Sequence, residues 1–114
     1  MEVYEEMTDH NVLVVGGTSA TVGAAGGYLQ GGGHSANSPR HGLAVDNLLE
    51  ADIVIADGTL VTTNACTNKD LFWALRGGGG GSWGVITRVV YKAHEPSENY
   101  LAVNQVIAAN YELC

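Results

Sequence analysis

Side chains suited to acid–base, nucleophilic or metal chemistry are scattered thinly through this sequence, whereas glycine is concentrated. Glycine makes up 16 of 114 residues, about twice the usual ~7%. It gathers into runs at Gly31-Gly32-Gly33 and Gly77-Gly78-Gly79-Gly80-Gly81. Glycine lets backbone approach a ligand closely, and backbone N–H groups near element ends hold phosphates without basic side chains. Such a cradle would reconcile a net charge of −7 with an anionic ligand. The rival reading is a flexible tether, and Gly77 to Ser82 has the composition of one. Against it, the run lies between a predicted helix and a predicted strand rather than between polar, structureless flanks.

Other chemistries fit less well. Gly79-Gly80-Gly81-Ser82-Trp83-Gly84 matches G-x-G-x-x-G literally, but a dinucleotide site needs a strand before that motif and a helix after it. Here a helix precedes and a strand follows. The sequence contains no G-x-x-x-x-G-K-[ST] phosphate loop. His34 and His41, seven residues apart, read as surface or packed histidines, Cys66 and His94 have no evident ligand partners, and a metal needs three or four converging ligands, so no metal is expected. Ser19, His34 and Asp46 could be assembled into a hydrolase triad, but Ser19 lacks the G-x-S-x-G elbow. Two cysteines, Cys66 and Cys114, make no disulfide framework.

Bulk properties set the frame. A chain of 114 residues argues for one domain, and 46% hydrophobic content suits a globular class. No apolar run reaches the ~18 residues of a membrane helix, so no membrane partner is expected. The acidic, polar start at residues 1–9 does not read as a signal peptide. Five Lys and Arg are too few for the clustered positive charge that nucleic acid demands.

The elements that must position the glycines follow from patterning. Residues 12–15 form a short apolar run, read as a buried strand ended by Gly16 and Gly17. A helical turn is expected near residues 24–29. Residues 53–56 and 60–63 read as a hairpin joined at Asp57-Gly58, a turn that places both residues at positive φ. Asn68 is the expected N-cap of a helix over residues 69–76, with Leu71, Phe72 and Leu75 on its buried side and Gly77 as its C′ residue. Residues 85–91, rich in β-branched side chains, read as a strand. Glu95-Pro96-Ser97 reads as a boundary, and residues 100–108 as one further strand. No internal repeat is present.

In order and spacing, the motifs resemble FAD-linked oxidases of the vanillyl-alcohol oxidase or p-cresol methylhydroxylase (PCMH) type, and among them fungal proteins like berberine bridge enzyme. The likeness runs from about Val12 to Pro96. It rests on Thr21-Val22-Gly23, Gly26-Gly27-Tyr28-Leu29-Gln30-Gly31-Gly32-Gly33-His34-Ser35 and Gly42-Leu43-Ala44-Val45-Asp46-Asn47. It continues through Ala56-Asp57-Gly58, Asp70-Leu71-Phe72-Trp73-Ala74-Leu75-Arg76 with its glycine run, and Trp83-Gly84-Val85-Ile86-Thr87.

That resemblance implies an α+β fold, the second subdomain of a PCMH-type FAD-binding domain. Residues 1–96 would be the partial FAD-binding unit, and residues 97–114 the start of a substrate domain. It implies FAD as cofactor, and oxidation of an alcohol-like small molecule by hydride transfer, with oxygen as acceptor. Cofactor contacts would come from Ser19, Thr21, Val22 and Gly23 beside the flavin, from Gly27, Gly31, Gly32, Gly33 and His34 along the ribityl and phosphate region, and from Val85 and Ile86 through their main chain at the adenine end. The family's histidine-bearing phosphate loop has no counterpart in this sequence, and no residue here is expected to be the catalytic base. Many relatives carry a cysteine, bonded to flavin C6, where this chain has Ser19. A hydroxyl is far less nucleophilic than a thiolate, so no C6 link is expected. The resemblance admits secretion and leaves location open. The alternative is a non-catalytic fragment without a tight ligand.

Overall fold

The computed structural model describes residues 2–97. In chain order its elements are α1 (Glu2–Asp9), α2 (Gly27–Gln30), α3 (Ser38–His41), a 3-10 turn (Ala44–Asn47), β1 (Leu48–Val54), β2 (Leu60–Asn64), α4 (Lys69–Leu75) and β3 (Val85–Tyr91). The architecture is α+β, as expected. The strand expected at residues 100–108, and Cys114, lie outside the described residues.

The three strands form an antiparallel sheet in the order β2-β1-β3. Alternation along β1 divides its residues between two faces. Ala51 and Ile53 are buried and pack with Leu75 of α4. Glu50 and Asp52 take the other face, where polar cross-strand partners meet them. Asn64 Nδ2 donates to Glu50 (2.9 Å) and Thr62 Oγ1 to Asp52 (2.7 Å). Arg88 Nη1 bridges Glu50 at 3.0 Å and Asp52 at 3.2 Å. These bonds hold both carboxyls below their ordinary range. Burying a side chain such as Ile53 or Leu75 contributes roughly 1.5–3 kcal/mol.

The hairpin is present, with Val54 opposite Leu60, but its turn differs from expectation. Gly58 N–H donates to Ile55 O (2.9 Å) and Ile55 N–H to Thr59 O (3.0 Å). Of Asp57 and Gly58, only Gly58 has positive φ, at +86°. The connection is thus a β-turn followed by one left-handed glycine, and Asp57 Oδ1 accepts Thr59 N–H instead.

The start of α4 is similarly displaced in mechanism. Asn68 occupies the N-cap position at φ 48°, in the left-handed region, and makes no side-chain cap. Its Nδ2 reaches back to Thr62 O, and its carbonyl accepts the buried Thr63 hydroxyl. Phe72, Ala74 and Leu75 are buried, whereas Trp73 stays 75% exposed.

Residues 12–15 do not form a strand. Only an isolated bridge pairs Leu13 with His94, although Val15 is buried with Leu29, Ala44, Val45, Leu48 and Phe72. The expected helical turn lies slightly later, at Gly27–Gln30.

Candidate functional site

After Gly16 and Gly17 the chain turns sharply, Val22 N–H donating to Ser19 O (3.2 Å). Ser19 Oγ lies 3.3 Å from Thr21 Oγ1. Thr21, Val22 and Gly23 line a cavity of about 180 Å³ whose other wall is the Val3, Tyr4 and Met7 side of α1. Tyr4 donates its hydroxyl to Gly17 O, and a Cβ on Gly16 would come 2.4 Å from that hydroxyl. A side chain at Gly16 would have to displace the Tyr4 ring, so α1 packs closely on this glycine. Burial pushes the Tyr4 phenol up from its ordinary value.

The two glycine segments meet. Gly79 N–H donates to Gln30 O (3.2 Å), and a Cβ built on Gly80 would sit 3.7 Å from Gly27 Cα. Residues 77–81 therefore close over the 26–30 turn and do not hang as a tether. Gly78 N–H returns to Ala74 O at 3.0 Å, ending α4. Gly27 is exposed, and a Cβ on it would meet nothing within 4 Å. Beside it Gln30 is only 7% exposed, and its Oε1 has no hydrogen-bond partner among the described residues. Gln30, Gly79 and Gly80 were not among the residues expected to contact the cofactor. The signal for Gln30 was a buried amide at the end of a glycine-flanked turn.

The other named positions divide. Gly31 and Gly32 commit their N–H groups to Gly27 O and Leu29 O, and Gly32 and Gly33 commit their carbonyls to Val45 and Ala44 N–H. Gly33 is buried, at φ +77°. These glycines shape the loop through internal bonds. The His34 side chain is exposed, and its carbonyl accepts the Tyr28 hydroxyl (3.2 Å). Val85 and Ile86 open β3 opposite Val54 and Ile53, with Val85 68% exposed. β3 pairs on one side only among the described residues, leaving main-chain groups of its outer edge available. At its far end Tyr91 donates to Ala24 O (2.5 Å), tying the strand to the 18–26 segment, and burial raises its phenol strongly.

Ser19, His34 and Asp46 form no triad. Asp46 Oδ2 accepts Leu43 N–H (2.8 Å), and Ser19 turns to Thr21. His94 is engaged within the fold: its Nε2 lies 2.6 Å from Asn47 Oδ1 and its ring stacks on His41. Cys66 is exposed.

Comparison with known proteins places this geometry in a family. A family model described as "FAD binding domain" matches residues 2–64. The chain is 55% identical over 93 residues to the FAD-linked oxidoreductase ZEB1 of Gibberella zeae, covering 82% of this chain and 16% of that protein. It is 46% identical over 116 residues to the FAD-linked oxidoreductase easE of Trichophyton verrucosum, covering 96% and 19%. Among solved structures, a VAO-type flavoprotein from Myceliophthora thermophila superposes with TM-score 0.81 at 45% identity, over 82% of this chain and 17% of its own. The glucooligosaccharide oxidase of Acremonium strictum, described as carrying a 6-S-cysteinyl, 8α-N1-histidyl FAD, gives TM-score 0.77 at 38% identity, over 83% and 20%. The chain thus spans about a sixth to a fifth of the length of the proteins it matches.

Proposed function

The chain belongs to the FAD binding domain family, in its vanillyl-alcohol-oxidase and berberine-bridge-enzyme-like branch, and on that premise we propose that it supplies one half of the FAD site of an oxidoreductase. The observation that carries this reading is the meeting of the two glycine segments, Gly79 N–H on Gln30 O at 3.2 Å with Gly80 against Gly27. A tether would make no such contact.

The residues present fit FAD. Residues 18–37 contain no charged side chain, so no carboxylate there repels a pyrophosphate. Gly27 leaves open space where a side chain would intrude. The unpartnered Gln30 Oε1 is an acceptor awaiting a donor, and FAD carries hydroxyl and amine donors. A buried acceptor left unmet costs roughly 1–3 kcal/mol. In this reading Ser19, Thr21, Val22 and Gly23 lie beside the flavin, and Gly27 lies along its chain. Gly31, Gly32, Gly33 and His34 hold the shape of that loop. Val85 and Ile86 offer main-chain groups to the adenine end.

Bound flavin supplies hydride acceptance, and the protein positions it. We assign the parent protein an alcohol-like small-molecule substrate and oxygen as acceptor, supported by the family likeness and by relatives named as oxidases. In this reading residues 97–114 begin the domain that supplies the substrate side. Ser19 offers no thiolate, so the flavin is not linked through C6.

A titration of FAD into the chain, followed by flavin fluorescence, tests this. A site divided between two subdomains binds weakly when one is absent, and the expected dissociation constant lies above about 1 μM, equivalent to less than ~8.2 kcal/mol. Sub-micromolar affinity, or peroxide formed from an alcohol by the chain alone, would show that the half-site reading is wrong.

A further inference from the structure

The segment leaving β3 is held at several points. Lys92 N–H donates to Asn47 O (2.8 Å), and His94 and Leu13 exchange backbone bonds, each 2.8 Å. Arg40 donates to the Ser97 hydroxyl. Between these anchors the ring of His94 stacks on His41, centroids 4.1 Å apart and planes inclined by 33°. Its Nε2 lies 2.6 Å from Asn47 Oδ1.

Asn47, 2% exposed, fixes the chemistry of this contact. Its Nδ2 faces the carbonyls of His41 (2.9 Å) and Leu43 (2.8 Å). Carbonyls only accept, so the amide nitrogen must face them and Oδ1 must face His94. His94 therefore carries its proton on Nε2, and a second proton could enter only at Nδ1. The surrounding charges are adverse to it. Arg40 on α3, Lys92 on the same segment and His41 in the stack all act on His94 with the same sign. Asp46 of the 3-10 turn is engaged by Leu43 N–H. Glu95 is exposed, and residues 11–17 bring no charge. His41 Nε2 is buried without a hydrogen-bond partner among the described residues.

We propose that His94, stacked on His41 and bonded to Asn47, is an acid-released latch that clasps residues 92–97 to the 3-10 turn. With the ring neutral the latch is closed, and a proton taken from solvent at Nδ1 opens it. Burial, then the charges of His41, Lys92 and Arg40, hold His94 below its ordinary value. The open state titrates near the ordinary ~6.5, so the contribution of the closed latch is full above ~6.5 and is lost as pH falls through the lower, closed-state value. Each unit of that depression makes the protonated latch about tenfold easier to open. The segment sets the direction in which the chain leaves the sheet, so release would free residues 92–97 from the 3-10 turn. The latch needs no FAD, and its test is independent of the half-site reading.

Amide exchange of the chain by NMR, corrected for the intrinsic pH dependence, reads the latch at Leu13, Lys92 and His94. Protection there should fall progressively as pH is lowered from roughly 7.5 to 5, while Ala51 and Ile53 in β1 keep theirs. Ring nitrogen shifts at neutral pH should show the Nε2–H tautomer of His94. His94→Gln retains a donor for Asn47 without a titrating ring and should abolish the pH dependence. His41→Phe keeps a stacked ring without a charge and should reduce it. Protection at Leu13, Lys92 and His94 that does not change with pH, an Nδ1–H tautomer, or a pH-dependent loss persisting in His94→Gln would each overturn the proposal.

Discussion

Gly33 and Gly27 show how one residue type serves two purposes in this site. At Gly33 the backbone lies at φ +77°, and a Cβ would sit 2.4 Å from that of Ala44 and 3.0 Å from the Tyr28 ring. The demand for glycine is internal. At Gly58, also positive at φ +86°, a Cβ would meet nothing within 4 Å. Gly33→Ala should therefore lose both conformational and packing energy, above about 2 kcal/mol in total. Gly58→Ala should lose only the conformational part, about 1–2 kcal/mol. Urea unfolding of the two variants compares them, and equal losses would contradict the packing argument. Gly27 has neither constraint: its φ is not positive and its surroundings are open. A side chain there should leave the fold intact and trouble only a ligand.

At the scale of elements, what was legible in the sequence was local. The β-branched run gave β3, and Leu71, Phe72 and Leu75 with Arg76-Gly77 gave α4 to within a residue. Asp57-Gly58 gave the hairpin, but not its turn type, because ladder register sets how many residues the loop must hold. Asn68 was placed correctly as an N-cap, yet tertiary bonds to Thr62 and Thr63 draw its polar groups elsewhere. α1 was not anticipated. Its acidic residues suggested a solvated start, while the signal lay in Tyr4 and Met7, one helical turn apart and both directed at the body of the protein. Residues 12–15 had strand character without a strand to pair with, so only Leu13 is bridged. The pairing of β1 with β3, and the meeting of Gly27 with Gly80, join distant residues and leave no trace in local pattern. The glycine run offers an element-scale test. Gly78 and Gly79 donate to Ala74 O and Gln30 O, so their amides should exchange at least about tenfold more slowly than random coil. Coil-like exchange at both would restore the tether reading.

On the scale of the whole molecule, α4 backs the sheet and the glycine run that follows it meets the Gly27–Gln30 turn. Charge agrees with that arrangement, because none of the chain's 12 acidic residues lies in residues 18–37, while α1 carries Glu2, Glu5, Glu6 and Asp9 and the polar face of the sheet carries Glu50 and Asp52. The central claim is that this surface is half of an FAD site. It is tested most directly by placing residues 12–97 of this chain in the Myceliophthora thermophila flavoprotein, in place of its matching segment; the two share 45% identity and a TM-score of 0.81. Flavin retained by the purified chimaera is the measurement, taken beside the same chimaera carrying Gly27→Val. The account predicts near-stoichiometric flavin in the first and a large loss in the second, with unfolding midpoints alike. A chimaera that is folded by circular dichroism yet colourless, or one that keeps its flavin undiminished with Gly27→Val, would contradict it.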